Sequence, residues 1–310
     1  MSEQGVPRVV VVLGPTATGK GALARQLARA FGGEIISADS MKVYRGLDIG
    51  TAKPTAAERQ AVPHHLLDIC ELTETFSAGA FREAASRLVR ELWAAGKLPI
   101  VVGGTGLYIK ALTRGLVAAP SRDPGVRAAL DHEIAARGPA QLHARLARVD
   151  PESAARLHPA DAVRIVRALE VHALTGRPLS ALHAQHRFTE APFRVLKLGL
   201  TVPRAELDAR INARAERMVA QGLCSEVATL LDQGHAPTLA PLLAPGYREM
   251  VAHLRGQLGL DEALRRMQQR TRAFAKRQLT WFRPDLETRW LPASAPDAAP
   301  GAVAEFLRRA

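Results

Sequence analysis

The stretch GPTATGKG, residues 14–21, follows the apolar run Val9-Val10-Val11-Val12-Leu13 and opens a segment of helical spacing from Lys20 to Phe31. A short apolar run ending in a glycine loop reads as a buried strand. Strand, glycine loop and helix in that order make a phosphate-binding loop. Its backbone amides and the helix N-terminus face an anion, and a lysine adds a point charge. Gly14, Pro15, Thr16, Ala17, Thr18, Gly19 and Lys20 fit the pattern G-x-x-x-x-G-K of ATP-binding and other nucleotide-binding loops. The next position ordinarily carries a hydroxyl for Mg²⁺, and here it is Gly21.

Working outward, the pattern repeats. Residues 34–40 (EIISADS) read as a second strand ending at Asp39. Residues 77–97 read as a helix with Ser77 as its N-cap and Gly96 as its stop. Residues 98–106 (LPIVVGGTG) read as a third strand running into another glycine loop. Alternation of strand and helix with loops at the strand ends predicts an α/β fold, a P-loop-type parallel sheet flanked by helices. Its ligands are expected at the carboxyl ends of the strands. From about residue 121 to 190 the segments read as helices with no strand between them, an inserted all-helical domain. Residues 1–120 and 191–310 then form the α/β core. A strand at 194–202 resumes that core. Helices over 204–221, 223–233 and 261–283 follow, with Pro284 ending the last, and ASAPDAAPGA (293–302) reads as a flexible stretch before a short terminal helix.

The chain of 310 residues carries 42 Lys and Arg against 30 Asp and Glu, a net charge of +12. That imbalance is the footprint of a polyanionic partner. No apolar run is long enough for a membrane span, and MSEQGVP (1–7) lacks the basic start of an export signal. A cytoplasmic location follows, with Cys70 and Cys224 as reduced thiols.

Asp39, at a strand's carboxyl end, is placed to act as a base or to hold Mg²⁺, or merely to cap a helix. Thr105 offers a hydroxyl from the second glycine loop. Arg164 and Arg167 share a helix face, as do Arg210 and Arg214. TRAFAKRQLTWFR (271–283) interleaves Arg272, Lys276, Arg277 and Arg283 with Phe274, Trp281 and Phe282, a mixture suited to phosphates and stacked bases. His64-His65 and His183/His186 lack the acidic or Cys partners of a metal site, so no zinc is expected.

Taken together, the segments GPTATGK (14–20), ISADSMKVYRGLDIGTAKPT (36–55), PHHLLDI (63–69), VVGGTGLYIKAL (101–112), HPADAVRIVRALEV (158–171), GYRE (246–249) and AKRQLTWFR (275–283) resemble the bacterial tRNA dimethylallyltransferases, in that family's order. The resemblance implies transfer of a dimethylallyl group from dimethylallyl diphosphate to N6 of adenosine 37 in the tRNA anticodon loop. It implies Mg²⁺ near Lys20 and Asp39, and a monomeric enzyme. The glycine loop would hold a diphosphate rather than ATP, with Arg210 and Arg214 as further cations. Asp39 would be the general base and Thr105 a contact of the substrate nucleotide. By the same resemblance tRNA is met by Asp39, Ser40, Met41 and Lys42, by Thr105, by Arg127, and by Val163, Arg164 and Arg167. Gly246, Tyr247 and Arg248, and Lys276, Arg277, Gln278 and Arg283, complete that surface.

Several positions depart from the family's pattern. Lys42 stands where many members have Gln, Pro245 replaces a small apolar residue, and Val163 replaces a Gln or Arg. Gly21 removes the usual hydroxyl ligand of the metal. Three other readings compete: an ATP-dependent small-molecule kinase, an adenylate-type prenyltransferase, and a tRNA-binding protein without catalysis. The missing hydroxyl counts against the first, and the net charge and the 271–283 tract favour tRNA over a free nucleotide.

Overall fold

The computed structural model describes residues 5–309; the first four residues of MSEQGVP lie outside the described residues. In chain order the core begins β1 (Arg8–Leu13), α1 (Lys20–Phe31), β2 (Gly33–Ala38), α2 (Ala56–Ala61), β3 (His64–His65), α3 (Ala78–Ala94), β4 (Leu98–Gly103) and α4 (Gly106–Arg114). Five helices follow: α5 (Pro124–Arg137), α6 (Pro139–Val149), α7 (Pro151–Arg156), α8 (Ala162–Thr175) and α9 (Leu179–His186). The chain continues with β5 (Arg194–Thr201), α10 (Arg204–Ala220), α11 (Leu223–Asp232), α12 (Tyr247–Leu254), α13 (Leu260–Phe282), β6 (Thr288–Pro292) and α14 (Ala298–Arg308).

The strands form one sheet in the order β3-β2-β4-β1-β5-β6, every neighbouring pair parallel. β1 lies inside it, and its side chains alternate between the two faces. Val9, Val11 and Leu13 pack with Phe81 and Val89 of α3 and with Ile109 and Leu112 of α4. Val10 and Val12 pack with Leu23 and Leu27 of α1 and with Ala299 and Val303 of α14. Helices therefore cover both faces, as a fully apolar central strand requires. A third cluster joins α10–α13 to the segment after β2, through Val43, Leu47, Met218, Tyr247 and Met267.

The chain divides into two compact units, residues 1–113 with 191–310, and residues 114–190. The helical unit opens at Arg114, ahead of the boundary at residue 121 drawn from composition. It has its own core of Leu130, Leu142, Leu146, Ile165 and Leu169. Among the described residues no helix is long and apolar enough to cross a membrane.

Two sequence expectations change. ASAPDAAPGA is not a flexible stretch to its end: α14 starts at Ala298, because Pro300 is tolerated in a first helical turn and Ala299 is buried against the sheet. The edge strands β3 and β6 were not expected; both are short and pair on one side only.

Candidate functional site

The ends of β1, β2 and β4 open onto one cavity of about 570 Å³, lined by Lys20, Asp39, Lys42, Thr105 and Arg214 among others. The phosphate loop forms its floor. Gly14 has φ +134°, and a β-carbon there would lie 2.7 Å from the Leu200 carbonyl oxygen, so the loop can press onto β5 only as glycine. Ala17 sits in the left-handed region at φ 63°, an unusual conformation for alanine held at a functional loop. The Thr18 hydroxyl donates to the Pro15 carbonyl at 2.9 Å, and Lys20 Nζ donates to the same carbonyl. Gly21 faces the cavity, and a β-carbon there would meet only Arg25 Nη1, at 3.3 Å.

Asp39 directly follows β2. Its Oδ1 accepts from the Met41 amide at 2.9 Å and the Lys42 amide at 3.4 Å, which fixes the carboxylate over its own turn. Thr105, after β4, accepts from the Ser40 amide at 3.0 Å. Thr105 N–H in turn donates to the Ala38 carbonyl at 3.2 Å. The two strand ends are thus stitched together, with Asp39 and the Thr105 hydroxyl side by side on the cavity wall.

The cavity is crowded with positive charge. Burial, then the neighbouring Arg214 and Lys42, holds the Lys20 ammonium down at about 7, against an opposing pull from Asp39. Burial likewise lowers Lys42, with Asp39 opposing and Arg214 and Arg25 adding to the effect. Burial lowers Arg214 as well, although a guanidinium stays charged. Three cations face few carboxylates: Asp39, and Glu58, which is paired to Arg25. This is the electrostatics of a site that an anion completes. The lining also includes the apolar residues Ala17, Ile211, Ala215, Met218, Met267 and Phe274.

Sequence reasoning missed the support of the cavity's lip at Gly50–Pro54. Glu226 of α11 accepts amides from Asp48 at 3.0 Å, Ile49 at 2.7 Å and Gly50 at 3.3 Å, and the Tyr247 hydroxyl at 2.7 Å. Tyr247 packs so closely on Gly50 that a β-carbon would lie 2.5 Å from its ring. Burial and then Glu226 push the Tyr247 phenol up, so it remains a donor.

The other expected site residues separate. Arg214 enters the cavity and its Nη1 lies 3.4 Å from the Thr16 hydroxyl, whereas Arg210 turns away to pair with Glu206 at 2.6 Å. Ser40, Met41 and Lys42 line the cavity. Gly246 and Tyr247 are buried, Tyr247 lining the cavity, while Arg248 is exposed. On α13, Lys276 and Arg277 are exposed, as is Arg283 beyond it, but Gln278 points inward. In the helical unit, Val163 and Arg164 are exposed. Arg127 makes two bonds to Glu170, at 2.8 and 3.1 Å, and Arg167 bonds Glu170 at 2.7 Å and the Pro120 carbonyl at 2.8 Å. Those two arginines are therefore anchored by a fully buried carboxylate. His65 pairs with Glu34 at 2.8 Å, and His64 Nδ1 lies 2.7 Å from the Val62 carbonyl. Cys70 and Cys224 are free thiols.

Among the described residues no three His, Cys, Asp or Glu side chains converge as a metal cage. The donor set suits Mg²⁺ nonetheless, since that ion is commonly held by one or two carboxylates with waters and phosphate oxygens. Asp39 offers such a carboxylate, and Lys20, Lys42 and Arg214 line the same cavity.

Residues 42–285 match the family model described as IPP transferase. The chain is 55% identical to a tRNA dimethylallyltransferase of Geobacter metallireducens over 94% of each chain. It is 50% identical to one of Anaeromyxobacter dehalogenans, over 97% of this chain and 99% of the other. The fold is similar to that of a tRNA isopentenylpyrophosphate transferase from Bacillus halodurans, at 38% identity and a TM-score of 0.72 over 97% of each chain. It is also similar to a eukaryotic dimethylallyltransferase whose structures follow its action on tRNA, at 28% identity and a TM-score of 0.81, covering 96% of this chain and 77% of that one.

Proposed function

We infer the reaction details from one premise: the chain belongs to the IPP transferase family of tRNA dimethylallyltransferases, and it is a prenyltransferase acting on tRNA. The donor is dimethylallyl diphosphate, and the acceptor is N6 of the adenosine at position 37. The crowding of Lys20, Lys42 and Arg214 around an open cavity carries this reading. A diphosphate would relieve their repulsion, and the apolar residues lining the same cavity suit a five-carbon chain.

N6 attacks C1 of the dimethylallyl group, the C1–O bond breaks, and diphosphate leaves with the electron pair. Lys20, Lys42, Arg214 and the loop amides stabilise that developing charge. The proton lost from N6 goes to Asp39, whose Oδ1 is fixed by the Met41 and Lys42 amides. Thr105, already accepting from the Ser40 amide, is placed to orient the adenine by its hydroxyl. Asp39 is the residue that would hold Mg²⁺, which when bound would further neutralise the leaving group. Arg248, Lys276, Arg277 and Arg283 meet tRNA phosphates from the core, and Arg164 does so from the helical unit. We take the enzyme to work as a cytoplasmic monomer.

The test is mass spectrometry of tRNA nucleosides after incubation with protein, Mg²⁺ and dimethylallyl diphosphate. Dimethylallyl-adenosine at position 37 is expected. Label transferred from ATP to a small molecule without a prenyl donor would overturn the reading.

A further inference from the structure

Gln278 sits in the most basic, aromatic tract of the chain, yet it is only 7% exposed. Its amide is used at both ends. Oε1 accepts the Thr16 amide of the phosphate loop at 2.8 Å, and Nε2 donates to the Gly104 carbonyl at 3.0 Å. Gly104 adjoins Thr105, which is bonded to Ser40 beside Asp39. One planar amide therefore spans the loop proposed to hold the donor and the loop proposed to hold the acceptor. The approach is tight: a β-carbon at Gly104 would lie 2.1 Å from Gln278 Nε2, and one at Gly106 would lie 2.0 Å from the Trp281 ring. The bare glycines of VVGGTG are thus the seat of α13.

We propose that Gln278 is a positioning residue that sets the spacing between the donor loop and the acceptor loop. The proposal rests on the prenyl-transfer reading above for what the loops hold, but not for the bridge itself. The oxygen and nitrogen of a carboxamide are held in one plane at fixed separation, and both are hydrogen-bonded here. The gap between the two loops is therefore set by covalent geometry. Reacting atoms need alignment within a fraction of an ångström, and misplacement by about 1 Å costs on the order of 10²-fold in rate. Gln278 touches neither reacting atom in this account. Its contribution appears in turnover, not in affinity for tRNA.

The experiment compares wild type with Gln278→Met, similar in length but without the amide, and Gln278→Glu, which keeps an acceptor for Thr16 and loses the donor to Gly104. Steady-state kcat and KM, filter binding of tRNA and hydrogen–deuterium exchange of peptides covering 14–20 and 100–106 are measured. The expected result is a fall in kcat of roughly 30- to 100-fold with Gln278→Met. KM and Kd for tRNA should stay within about threefold, and exchange should be faster in both loops without any substrate. Weaker tRNA binding with unchanged kcat would overturn the proposal and make Gln278 a tRNA contact. Unchanged kcat and unchanged exchange would overturn it outright. Should Gln278→Met not fold, Gln278→Glu gives the same comparison, with faster exchange expected at 100–106. A wild type that transfers no prenyl group would sink the functional reading alone. Loop exchange would then decide whether Gln278 sets the spacing.

Discussion

Binding of a diphosphate to this protein should take up a proton at mildly alkaline pH. Burial and the neighbouring Arg214 and Lys42 hold Lys20 at about 7 in the free protein. At pH 8, one unit above that value, only about one Lys20 in ten carries its proton. A diphosphate brings several negative charges against the ammonium and restores its value to the ordinary lysine range near 10.4. Binding at pH 8 should therefore draw about 0.9 proton onto Lys20, falling to about half a proton at pH 7. The last ionisation of the terminal phosphate in a diphosphate ester, near pH 6, has the opposite sign on binding, so the window above about pH 7.5 isolates the lysines for such a ligand. Titration calorimetry of dimethylallyl diphosphate at pH 8 without tRNA, in two buffers of different ionisation enthalpy, gives the proton count directly. Affinity should weaken by up to about tenfold per pH unit from 7.5 to 9. Lys20→Met should abolish most of the uptake. A wild-type count near zero at pH 8, with affinity flat across that range, would refute the crowded-cation account of the cavity.

Asp39→Asn should keep tRNA affinity and lower the single-turnover rate by about 10²–10⁴, the contribution of a positioned base; a loss below about tenfold would remove Asp39 from that role. Lys276→Ala and Arg277→Ala should weaken binding of all tRNAs alike and flatten the salt dependence by about 0.7 in log–log slope per lost phosphate contact, read by filter binding across a salt series. Burial alone would raise the Glu170 carboxyl, but hydrogen bonds from Arg127, Arg167 and the Asp123 amide outweigh it and hold the group at about 2. A depressed carboxyl stabilises fully above its unfolded value, so this contribution should be lost as pH falls from about 4.3 toward 2, and Glu170→Gln should flatten that part of a denaturation series. Gly21→Thr should lower the Mg²⁺ concentration for half-maximal rate, since only the movable end of Arg25 lies near the new side chain; identical midpoints would mean another group already fills the role.

The half of the cavity built on the strand ends was legible because glycine and apolar runs punctuate a parallel sheet locally. Val9–Leu13, the 14–21 loop, Asp39 and Thr105 all follow from strand ends that the sequence marks itself, and the Ser77 cap does accept the Ala80 amide at 3.1 Å. What was illegible depends on contacts distant in sequence. Arg210 and Arg214 share a helix face, but only packing of α10 against α13 decides which of them reaches the cavity. Arg127 and Arg167 read as free cations until Glu170 is found between them, and burying that carboxylate requires such partners. Glu226 is an ordinary glutamate in its own helix, and the amides it holds belong to residues 48–50. The edge strands β3 and β6 carry too few residues for alternation to show.

Gln278 belongs to a different class, because a signal for it existed. Ala275, Gln278 and Phe282 recur at i, i+3 and i+7, the spacing of a helix's inward face, and all three are buried. Lys276, Arg277 and Thr280 fall between them and face outward, as does Arg283. A carboxamide on the apolar stripe of an amphipathic helix cannot be left without partners, since an unmet buried donor or acceptor costs about 1–3 kcal/mol. Composition drew attention to the basic residues of 271–283, and the resemblance to the family classed Gln278 with them as a tRNA contact. Periodicity places it on the opposite face. Once there it must find one acceptor and one donor, and the backbone that lacks side chains to keep it away is the glycine loop at 103–106, with Thr16 across from it. The same helix thus turns Lys276 and Arg277, with Arg283 at its end, to solvent and its one buried amide to the two loops, so the surface proposed to meet tRNA and the bridge between the loops lie on one element.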